Sequence, residues 1–100
     1  MGFPSSIFHP KKRNLRQAYE EDAAAIEAFV DGRGNQWDWD DYISIRDNDP
    51  FLESTRIRSV RVSDDFPPRT MEHYCSDEGI EVLRSLAREL RTKANSIPEA

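Results

Sequence analysis

The sequence predicts a single small, mostly α-helical domain of about four helical segments behind a flexible N-terminal tail. Three observations carry this. Apolar residues recur at helical spacing near both ends of the chain. Residues that cap helices stand where those stripes begin. The chain has 100 residues and a single cysteine, so it is one domain without a disulfide framework.

Residues 1–13 read as the tail. Pro4, Ser5, Ser6, Pro10 and the basic run Lys11, Lys12 and Arg13 show no apolar period. The helical domain spans residues 14–97. Its first helix runs from about Asn14 to Asp31, with Asn14 as the cap. Leu15, Ala18, Tyr19, Ala23, Ile26, Phe29 and Val30 form one stripe. Gly32 suits a left-handed C-terminal position, and Gly34 reinforces the break. Asp22 lies within the stripe, so its carboxylate needs a donor, such as an arginine or a tryptophan N–H.

Residues 32–49 are a long connector around Trp37-Asp38-Trp39-Asp40-Asp41-Tyr42, which holds both tryptophans of the chain. Tryptophan is costly to expose and aspartate is costly to bury alone. The segment therefore belongs at a boundary, with rings inward and carboxylates outward. Asp38 reads as an N-cap, with Asp40 and Asp41 in the first turn of a short helix ending near Ser44. As a strand, the segment would put Asp41 on the face of Trp37, Trp39, Ile43 and Ile45, a poor place for it.

Asp49-Pro50 is a second start signal, a cap followed by proline at the first helical position. Phe51, Leu52, Thr55 and Val62 share a side of the helix it begins. Ile57 and Val60 fall off that side, and residues 56–62 are partly strand-like. Pro67 and Pro68 end the element, and residues 66–74 cross over as an extended loop. Ser76 caps the last helix. Ile80, Leu83, Leu86, Ala87, Leu90, Ala94 and Ile97 make the cleanest stripe in the chain. Glu89 and Lys93 lie off it as an i,i+4 pair. The expected core comprises Ile26, Phe29, Val30, Trp37, Leu52, Ile80, Leu83, Leu86 and Leu90, with at least one tryptophan ring buried and its indole N–H bonded.

Charge narrows the function. The net charge is -5, which opposes broad binding to nucleic acid or anionic membranes. Arg56, Arg58 and Arg61 are a foothold for nucleic acid, but pairing with nearby acids is the commoner use of such a row. No stretch approaches a membrane span, no signal-peptide core is present, and a small domain without crosslinks is expected in the cytoplasm.

Catalysis and metal binding find little support. Counting a calcium loop from Asp38 puts Ile43 where glycine is required. For zinc, His73 and Cys75 supply two ligands at most. The same pair, as nucleophile and base, lacks a recognisable orienting group or oxyanion loop. No cofactor is expected, and neither a phosphate-binding loop nor a dinucleotide fingerprint occurs.

The tryptophan run, the Asp49-Pro50-x-Leu52 helix start, the Phe66-Pro67-Pro68 break and Tyr74-Cys75-Ser76-x-x-Gly79 resemble a group of small uncharacterised bacterial proteins. The resemblance covers roughly Tyr19 to Arg91. It implies a compact helical domain and a bacterial origin, and it brings no activity.

Residues 20–49 carry ten acids against Arg33 and Arg46. Within them, capping and first-turn placement account for Asp38, Asp40, Asp41 and Asp49, while Asp47 has no evident structural role. The favoured expectation is a non-catalytic protein-binding module, an adaptor or small inhibitor, whose acidic lobe meets a basic partner. Asp40, Tyr42 and Asp47 would form the contact, with Trp37 or Trp39 contributing an edge. The alternative is a small metal-dependent or cysteine-based enzyme or regulator using Asp38, Asp40 and Asp41 or His73 and Cys75.

Overall fold

The computed structural model describes residues 14–33 and 36–98, and of 36–38 the backbone alone. The tail at residues 1–13, Gly34 and the side chain of Trp37 therefore lie outside the described residues. Four helices follow in order: α1 (Leu15–Val30), α2 (Gln36–Ser44), α3 (Pro50–Asp65) and α4 (Asp77–Asn95). The described residues contain no strand, so residues 56–62 are helical throughout.

The caps explain three of the four starts. Asn14 accepts from the Gln17 N–H, Asp49 from those of Phe51 and Leu52, and Ser76 from that of Gly79. Pro50 costs nothing at its position, because its missing N–H would have no intrahelical acceptor. Gly32 takes φ of +72° after α1, a conformation that a Cβ disfavours.

α1 and α4 form the most extensive helix pair. Arg84 reaches Asp31 while Arg91 reaches Glu27, so the two helices run antiparallel. Tyr19, Ala23 and Ile26 of α1 share the core with Leu83, Leu86, Ala87, Leu90 and Ala94 of α4. Leu52 and Val62 of α3 complete it, and Trp39 enters from α2. Burying an aliphatic side chain of this size contributes about 1.5–3 kcal/mol. Ile26, Leu52, Leu83, Leu86 and Leu90 are fully buried, as their periodicity implies. Phe29, Val30 and Ile80 sit at the core edge, and Ile57 and Val60 are exposed.

Two polar residues are buried on α3, and both are satisfied by the preceding turn. Thr55 Oγ1 donates to the Phe51 carbonyl at 3.0 Å and Ser59 Oγ to the Thr55 carbonyl at 2.9 Å. Ser59 presents its own carbonyl to the crossover loop, where Tyr74 Oη donates to it at 3.0 Å. The loop closes where the Ser76 N–H donates to the Phe66 carbonyl. Gly79 then passes so close to Cys75 that an added Cβ would lie 2.8 Å from its Cβ and Sγ.

Two sequence expectations are corrected. Asp38 is not an N-cap: α2 begins at Gln36, so Asp38 lies inside the helix. Glu89 and Lys93 are not paired. Glu89 is drawn across to Arg58 on α3 at 3.2 Å, and Lys93 lies over the Phe51 ring, 5.3 Å from its centroid. Contacts between helices outweigh the weak intrahelical attraction.

Candidate protein-binding site

α2 and the short loop after it hold the residues that the sequence marks for binding. The helix is fixed from beneath by aromatic packing. Trp39 is 4% exposed and stacks on Phe29 of α1, with Tyr74 meeting it edge-on at 5.6 Å. Tyr42, one turn on, lies 5.5 Å from Trp39. One tryptophan ring is thus buried as expected. Its indole N–H is not bonded as expected: Trp39 Nε1 and Tyr42 Oη are both buried without a hydrogen-bond partner among the described residues. Burial raises the Tyr42 pKa, outweighing the nearby Ser59 hydroxyl that lowers it, and Asp22 on α1 adds to the rise.

The far end of α2 is tied to α3 through charge. Arg56 Nη1 donates to the Ile43 carbonyl at 2.6 Å. Its Nη2 and Nε also hold Glu53, at 2.6 and 2.9 Å. Glu53 in turn accepts the Asp47 N–H at 2.9 Å. Together the Arg56 fork and this N–H bring the Glu53 pKa down to about 2. Arg58 and Arg61 likewise face acids, Glu89 at 3.2 Å and Asp65 at 3.9 Å, so the arginine row is used within the fold.

The loop explains Asp47. Its Oδ1 accepts the Asp49 N–H at 3.0 Å, a turn closed on the residue two ahead. Asp49 caps α3 and also accepts from Tyr19 Oη at 3.0 Å. That bond and burial hold the Tyr19 pKa near 12, with burial the larger cause. Asp47 and Asp49 are therefore loop-forming residues.

Asp40 and Asp41 exchange roles with them. With α2 starting at Gln36 they lie beyond the first turn, so the helix N-terminus gives them little. Neither side chain has a hydrogen bond or ion pair among the described residues. Asp41 is exposed, and the Ile45 N–H donates to its carbonyl, which places Ile45 one turn along on the same face. Ile45 is 64% exposed. The sequence reading did not mark it, although i,i+4 spacing from Asp41 was the available signal. The site thus brings together an acidic pair and an exposed aliphatic side chain, while Trp39 and most of Tyr42 serve the packing beneath.

Cys75 and His73 are set apart by their surroundings. Cys75 is buried and burial, with Asp77 adding, raises its thiol pKa, the opposite of an activated nucleophile. His73 is exposed. Among the described residues no group of three metal-ligating side chains converges, and no helix is long and apolar enough to cross a membrane. Compared with protein-family models, with curated proteins and with solved structures, the chain matches none.

Proposed function

We propose that the protein is a non-catalytic protein-binding module, an adaptor or small inhibitor that works in the cytoplasm and engages a basic partner through α2. The observation that supports this reading most is the pairing of Asp41 with exposed Ile45 on one helical face, beside Asp40. An aliphatic anchor within a field of carboxylates suits a partner surface that joins an apolar pocket to lysines or arginines. Because Trp39 and Arg56 hold α2 from beneath, the face is presented on a fixed support. Little ordering entropy would be lost on binding. Asp47, Trp39 and the buried part of Tyr42 act by holding that support.

The test is affinity capture from a lysate of the source cell at low and high salt. The wild-type chain, Asp40→Asn/Asp41→Asn, Ile45→Ser and a surface control, Glu72→Gln, serve as baits. The proposal expects a basic protein retained by wild type and the control, released by salt, and lost with either α2 variant. Retention of the same proteins by all four baits would remove α2 from consideration.

A further inference from the structure

A second surface of opposite charge lies away from α2, between the start of α3 and the C-terminal half of α4. It is an open groove of about 600 Å³. Ser85, Arg88, Thr92, Lys93 and Ser96 line it from α4, and Phe51 from α3. Positions 85, 88, 92 and 96 step by three or four, with Lys93 beside Thr92, so they follow one face of α4 through three turns, roughly 16 Å. The walls are mostly apolar.

The charges at the rim are unbalanced. Arg88 donates to Ser85 Oγ at 2.9 Å and meets no acid among the described residues. Lys93 rests over Phe51 and also meets no acid among them. The lining acid, Glu89, is occupied by Arg58 of α3. Among the described residues two cations thus stand uncompensated, in a protein of net charge -5. A favourable interaction with the α4 dipole accounts for cations near its end. It does not account for a partly exposed phenylalanine, Phe51, beneath one of them, Lys93.

We propose that this groove docks a short acidic segment of a second protein, placing one apolar side chain against Phe51 and carboxylates on Arg88 and Lys93. Its length suits a peptide of about 11 helical residues, and its shape suits a helix laid against helices; the described residues offer no sheet edge for strand addition. The hydroxyls of Ser85, Thr92 and Ser96 would serve the polar rim. The chain would then carry two docking faces of opposite charge.

The test titrates isotope-labelled full-length protein with a set of acidic peptides of about 11 residues, each carrying Leu or Phe among Glu and Asp. Expected are saturable amide shifts at Phe51 and along residues 85–96, weakened by salt. Arg88→Glu/Lys93→Glu should lower affinity at least about tenfold while the circular-dichroism melt is retained. Shifts that fail to saturate, or that centre on α2, would overturn the proposal. So would equal saturable shifts with glutarate alone, which would make the groove a small-dianion site. Self-association in sedimentation that is abolished by Arg88→Glu would instead assign the groove to a second copy of this chain.

Discussion

The Trp39 ring lies flat on Phe29, with centroids 4.0 Å apart and planes within 8°. This stack joins α2 to α1, and Tyr74 closes edge-on against both rings. Among the described side chains of α2 Trp39 is the one fully in the core, with Tyr42 and Ile43 packed at its edge.

Trp39→Ala should therefore cost about 3–5 kcal/mol. Trp39→Phe should cost far less, since it keeps a ring on Phe29 and removes the buried indole N–H that lacks a partner. Urea midpoints of the two variants would decide. Equal losses would mean that the stack is not what holds α2.

Acid should weaken the fold through Glu53. Its pKa falls from an ordinary 4.5 to about 2 in the folded state. Between these values the unfolded chain binds the extra proton, so stability rises with pH there. The contribution is complete above the unfolded value and is lost as pH falls toward 2. Glu27, lowered by its hydrogen bonds from Arg91, acts in the same direction. Thermal melts across this window should show a shallower acid loss for Glu53→Gln than for wild type. An unchanged slope would sink the idea.

Gly79→Ala should destabilise by about 1–3 kcal/mol, although alanine is the better helix former. The new methyl would meet Cys75 at 2.8 Å and Phe66 at 3.0 Å. Denaturant unfolding of the double variant Gly79→Ala/Cys75→Gly should recover part of the loss. A stabilised single variant would show that the crossover loop yields freely.

The two kinds of acid around α2 should behave differently. Asp47→Ala removes an acceptor for the Asp49 N–H and should cost about 1 kcal/mol. Asp40→Asn and Asp41→Asn should stay within about 0.5 kcal/mol of wild type, or gain slightly as like-charge repulsion falls. Chemical denaturation of the three variants separates loop-forming acids from surface acids. An Asp40→Asn loss as large as that of Asp47→Ala would contradict the division.

The helices were legible because caps and apolar periods are local signals. Asn14, Asp49 and Ser76 each sit directly before the stripe they start, and Leu83, Leu86 and Leu90 follow one period. α2 was harder: nine residues hold little more than two turns, and Asp38 offered a capping signal inside the helix rather than before it. Misplacing its start by three residues put Asp40 and Asp41 in the first turn and left Asp47 without a role. The site was legible in its composition but not in its division of labour. That division depends on Glu53 and Arg56, which lie later in the chain and reach back. The groove was invisible for the same reason. Phe51 and Lys93 read as unrelated until α3 and α4 are laid side by side.

The antiparallel α1–α4 pair has a kinetic consequence. The helices that share most of the core are the first and last described, and their bridging residues Glu27 and Arg91 lie 64 positions apart. Folding must close that loop before the main contacts form. Antiparallel packing also brings Asn14 and Pro98 to one end of the bundle. Joining them with a short linker and opening the chain at Met71, which is fully exposed, would shorten the separation to roughly 20 residues plus the linker. Loop-closure entropy would fall by about 1 kcal/mol. Such a circular permutant should keep the native contacts and refold about fivefold faster in stopped-flow experiments.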